Sequence, residues 1–122
     1  MKYMLSVYGS EEFWGSFSPE EIQSVIKETD EQLAELNASG ELVGAYGLAD
    51  QVMAKLVNIV DGAPVVTDGP YLEAKECLAS FTLVDVDGIE RALEIAAKNP
   101  AARIGRMEVR PIMHEADLPD AG

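Results

Sequence analysis

The chain has little of what metal centres and disulfide frameworks need: its 122 residues hold one cysteine and one histidine. A lone Cys77 cannot close an intramolecular disulfide, and no second Cys or clustered His completes a ligand set. No metal and no cofactor is therefore expected, and Cys77 reads as a small residue in or beside a strand. Positive charge is also scarce. Nine Lys and Arg face 22 Asp and Glu, a net charge of −13, which repels polyanions and removes the attraction that supplies most nucleic-acid affinity. Nucleic acid and anionic membranes are thus not expected as partners. No apolar run reaches the roughly 18 residues of a membrane span. MKYMLSVYGS has one Lys, a short apolar run and no small-residue cleavage site, so no signal peptide is read and a cytoplasmic location is expected.

What is present fits a globular chain of one domain, with 48% hydrophobic and 25% charged residues. In a first strand Tyr3, Leu5 and Val7 point one way and Met4, Ser6 and Tyr8 the other. Ser18, Pro19 and Glu21 spell a capping box, Ile22, Val25, Ile26, Leu33 and Leu36 form a helical stripe, and Gly40 stops it. Leu42 to Leu48 and Ala54 to Val60 read as strands, and Asp61-Gly62 turns the second into Pro64 to Thr67. Ala79 to Val84 is another strand. Asp87 and Glu90 suggest a second capping box, opening a helix with Ile89, Ala92, Leu93, Ile95 and Ala96 inward and ending at Asn99-Pro100. Arg106 to Ile112 closes the domain, 1–113, and HEADLPDAG, 114–122, reads as a loose tail.

Strand, helix, a block of strands, helix, strand, joined by right-handed crossovers, predicts an α+β fold: a ferredoxin-like split βαβ sandwich with both helices on one face. The other face is expected to carry Met4, Ser6, Tyr8, Leu56, Asn58, Val60, Thr82, Val84, Arg110 and Ile112. That mixture is too apolar for water and too polar for a plain core. Two such faces packed together would form a homodimer enclosing a polar pocket.

The stretches MKYMLSVYGSEEFW, LVGAYGL, VVTDGPYLEAKE, FTLVDVD, EIAAKNPAARIG and EVRPIM resemble the YCII-related family, specifically its DGPF-domain branch, with Tyr71 where the namesake motif has Phe. The similarity runs from about Met1 to Met113. It implies a ferredoxin-like fold that dimerises through its sheets into an α/β barrel. The family's founding branch is proposed to act through a His-Asp pair, but the histidine here is His114, in the tail, so that mechanism is not carried over. Genes of the family often accompany extracytoplasmic-function sigma factors, which implies a transcription-linked partner as one possible role.

VVTDGPYLEAKECLASF, Val65 to Phe81, joins a turn signal to interleaved acid and base. Asp68 is expected to bond the following amides, Gly69 to allow unusual dihedrals and Pro70 to set the exit. Asp68, Glu73 and Lys75 are the candidate catalytic groups, carboxylates to move a proton and an ammonium to hold an anion. Tyr8, Trp14, Ser6, Thr82 and Arg110 are the candidate ligand-binding residues, with Arg110 a half-buried cation in need of a carboxylate or a bound anion. Arg103 and Arg106 read as solvated. Two functions follow: a homodimeric binder or metal-independent acid-base enzyme for a small metabolite, anionic ones included, and a non-catalytic dimeric accessory module acting through a protein partner.

Overall fold

Tyr3 and Leu5 of the first strand are buried together with Val84 of its antiparallel partner, and these two strands form the centre of the sheet. The computed structural model describes residues 1–71 and 76–117. Strands β1 (Lys2–Gly9) and β5 (Cys77–Asp85) pair antiparallel, β2 (Leu42–Gly47) flanks β5, and β6 (Met107–Pro111) flanks β1. The order β2-β5-β1-β6 splits strands that neighbour in sequence, as the ferredoxin-like reading requires. Strands β3 (Lys55–Val60) and β4 (Ala63–Asp68) do not join this sheet. They form a separate two-stranded hairpin inserted between β2 and β5, hinged on Asp61 and Gly62, both with positive φ.

One face of the sheet carries the core: Tyr3, Leu5, Val84 and Val86 pack with Leu36, Ala92, Ile95 and Ala96 of the helices. Helix α1 (Glu11–Gly15) is capped by Ser10, whose hydroxyl accepts from the Phe13 N–H. Helix α2 (Pro19–Ser39) starts with the expected box, Ser18 and Glu21 bonding each other's backbone N–H, and ends on Gly40 at φ 81°. Among the described residues no helix is long and apolar enough to cross a membrane.

Five expectations are corrected. Register puts Thr82 opposite Leu5 and Val84 opposite Tyr3, and cross-strand partners share a face. Thr82 and Val84 therefore lie on the helix side; the open side of β5 carries Phe81 and Leu83, opposite Ser6 and Met4. Leu56, Asn58 and Val60 belong to the hairpin. Helix α3 (Ile89–Lys98) has no Asp87–Glu90 box, because extended Gly88 occupies the cap position and makes no side-chain bond. Ile89 and Leu93 are exposed, leaving Ala92, Ile95 and Ala96 as the buried face. Asn99 stops α3 as expected and also caps α4 (Pro100–Arg103), its side chain accepting from the Ala101 N–H. Finally, the α2 stripe packs only at its C-terminal end: Leu36 is buried while Ile26 stays 54% exposed. The N-terminal half of α2 stands off the sheet.

Candidate functional site

The gap under α2 is a cavity of about 350 Å³. Leu5 and Val7 of β1, Ser80 and Thr82 of β5, Val25 and Leu33 of α2, Met107 and Trp14 line it. Trp14 comes from α1, the one-turn helix that follows β1. Its indole lies against Gly9, where a Cβ would come within 2.4 Å of the ring, so the bare backbone of Gly9 is what lets the ring seat there. Thr82 and Trp14, two of the expected ligand-binding residues, thus meet here, on the helix side.

Ser6 and Arg110 are on the opposite side. Ser6 is fully buried, and its hydroxyl has no hydrogen-bond partner among the described residues. Arg110 sits opposite Met4 in β6, and Glu108 opposite Ser6. Arg110 is exposed, not half-buried, and makes no ion pair among the described residues. The expected pairing with Glu108 or Asp68 is not formed; Asp68 pairs with Lys55 instead. Beside these residues Phe81 and Tyr46 pack with ring centroids 5.3 Å apart. Tyr8 lies beyond a bulge between Val7 and Tyr8 and lines a cleft of about 430 Å³ with Glu76, Arg106 and Glu108.

Arg106 is not solvated as expected. Its Cζ lies 4.3 Å from the centre of the Phe13 ring, Nη2 is 3.1 Å from Glu76 Oε1, and the buried Nε has no partner among the described residues. A guanidinium over an aromatic face gains cation–π attraction. Sequence reasoning missed this trio. The clue was topological: β1 and β6 are antiparallel neighbours, so residues just after β1 meet residues just before β6. Arg103 is exposed as expected, with Nη2 2.7 Å from Glu28 Oε2.

At the base of the hairpin Asp68 does not bond the following amides. The Gly69 N–H donates to the Ala54 carbonyl, Pro70 has no N–H, and the Asp68 carboxylate is held by Lys55 across the two strands. The Gly69–Pro70 peptide is cis. Gly69 is needed for close approach and not for unusual dihedrals: a Cβ there would sit 3.2 Å from Leu56 Cδ2 and 3.3 Å from the Ala54 oxygen. Glu73 and Lys75, the other candidate catalytic groups, lie outside the described residues. Cys77 is half-buried and lines the end of the sheet with Trp14 and Asp50. His114 is exposed. Among the described residues no cluster of three or more His, Cys, Asp or Glu could hold a metal ion.

An antiparallel sheet in split order with its helices on one face defines a ferredoxin-like α+β protein. Within that class the chain belongs to the YCII-related domain family, whose model matches residues 1–116. A curated relative, an uncharacterized protein of Rhizobium meliloti (strain 1021), is 29% identical over 114 residues, which cover 92% of each chain.

Proposed function

We propose that the chain is a homodimeric small-molecule-binding protein of the DGPF branch, whose two copies meet through their open sheet faces and enclose a pocket for a small anionic metabolite. The observation that carries this reading is the character of the open face: Phe81, Tyr46, Leu83 and Met4 form an apolar field with a cation, Arg110, in it. Apolar area of this kind is stabilised by removal from water, and a guanidinium enclosed with it needs an anion. A bound carboxylate supplies the anion that Arg110 lacks among the described residues. If the pocket also does chemistry, Asp68 is the proton-transfer group this reading assigns, with Glu73 and Lys75 kept as candidates from the sequence alone.

The test combines sedimentation with thermal shift. A ligand that binds only the native state raises its stability by about 2.7 kcal/mol at a hundredfold excess over Kd, which reads as a rise of several degrees in Tm. The wild type is expected to sediment as a dimer and to be stabilised by at least one small carboxylic acid, and Arg110→Ala to remain a dimer while losing that rise. A monomeric wild type, or an Arg110→Ala variant that keeps the rise, overturns the reading. A second reading, an accessory module for a basic protein partner linked to transcription, is favoured by the exposed acids of α2, among them Glu20, Glu21, Asp30, Glu31 and Glu35. Absence of any ligand-induced shift together with co-purification of a sigma factor would select it.

A further inference from the structure

The cavity under α2 lies on the other side of the sheet from Arg110, and its chemistry is opposite. Leu5, Val7, Val25, Leu33, Met107 and the Trp14 ring make its wall apolar, and among the described residues no Lys or Arg lines it. The one carboxylate on its lining among the described residues, Asp30, is exposed, so an anion is repelled at the mouth. The aliphatic hydroxyls and the one amide of the lining fall into two groups. The Thr29 hydroxyl donates to the Val25 carbonyl at 2.8 Å, and Asn99 is committed to Gln32 and the Ala101 N–H. Ser80 and Thr82, two apart on β5 and so on one face, make no side-chain hydrogen bond among the described residues and are only half-buried. Two free hydroxyls on an apolar floor can orient a ligand through one polar group.

We propose that this cavity is a second binding site, which takes a small uncharged, mostly apolar molecule carrying one hydrogen-bonding group that is held by Ser80 and Thr82. Its volume of about 350 Å³ is at the lower end of the range for small-molecule sites. The site is formed within one protomer and does not depend on the dimer or on an anion at Arg110.

Trp14 lines the cavity and is the protein's single tryptophan, so its fluorescence reports occupancy directly. The probe is N-phenyl-1-naphthylamine, an uncharged dye that accepts energy from tryptophan. Its anionic relative, 8-anilinonaphthalene-1-sulfonate, serves as the charge control. The neutral dye is expected to quench Trp14 saturably at one site per chain and to bind at least tenfold tighter than the sulfonate. Thr82→Leu, which fills the floor and removes a hydroxyl, is expected to weaken it at least tenfold with an unchanged far-ultraviolet circular dichroism spectrum. Equal binding of the two dyes, no saturable quenching, or wild-type affinity in Thr82→Leu would each overturn the proposal. Should Thr82→Leu fail to fold, Ala45→Phe narrows the same cavity from the edge strand and is read the same way.

Discussion

Gly9 shows how one missing side chain can place a functional one. The Trp14 ring occupies the space a Cβ would take, with Cε2 at 2.4 Å and Nε1 at 2.5 Å from that position. Gly9 is buried at the end of β1, so an added methyl has no way out to solvent and the half-buried ring must move. Gly9→Ala is expected to expel the indole from its seat and to cost about 1–3 kcal/mol, the usual range for overpacking. The checks are a lower Tm and a red-shifted Trp14 emission; an unchanged spectrum would show that the ring does not rely on Gly9. Arg106 makes the complementary point. Its place over Phe13 and against Glu76 ties the segment after β1 to the turn before β6, so the cleft beside Tyr8 has a fixed cationic wall.

At the scale of elements, the start of β2 is tied to α3 by an ion pair. Arg91 Nε and Nη2 reach the two oxygens of Glu41 at 2.7 and 2.8 Å, and the Ser39 hydroxyl donates to Glu41 at 2.8 Å. The Arg91 guanidinium first, and Ser39 second, hold the Glu41 carboxyl down at about 2, below its ordinary 4.5. A carboxyl depressed on folding contributes stability that is present above the unfolded value and disappears as pH falls through the folded one. The Tm gap between wild type and Glu41→Gln is therefore expected to be constant at neutral pH and to close between about pH 4.5 and pH 2. A gap that persists at pH 2 would show that Glu41 acts through packing. The same physics operates at the N-terminus of α2, where the Ser18 N–H lowers the carboxyl of Glu21.

For the whole molecule, the β3–β4 hairpin is the part that a single copy leaves unsupported. Val57, Val66 and Ile59 share one face of it and are 62%, 62% and 69% exposed, and an isolated two-stranded hairpin is marginal in water. In a chain of net charge −13 this nearly neutral arm is where two copies can approach with least repulsion. On the dimer reading, Val57→Glu combined with Val66→Glu is expected to yield a folded monomer, seen as a halved mass in sedimentation with an unchanged circular dichroism spectrum. A double variant that stays dimeric would remove the arm from the interface and leave the open sheet face to carry it.

Signals that act within a few residues were legible in the sequence: the Ser18–Glu21 box, the Gly40 stop, the Asp61-Gly62 turn and the alternation of β1 all follow from local backbone hydrogen bonding and side-chain period. They were enough for the α+β class and the split order of the sheet. The Asp87–Glu90 pattern failed because Gly88, lying between them, takes the cap position itself. Register was not legible, since it depends on which residues of distant strands face each other, and alternation alone leaves each strand with two choices of face. That choice separated Thr82 from Arg110 and joined it to Trp14. Only the tertiary structure decided it, because burying Tyr3, Leu5 and Val84 together against Leu36 and the α3 alanines selects the register that removes most apolar surface from water.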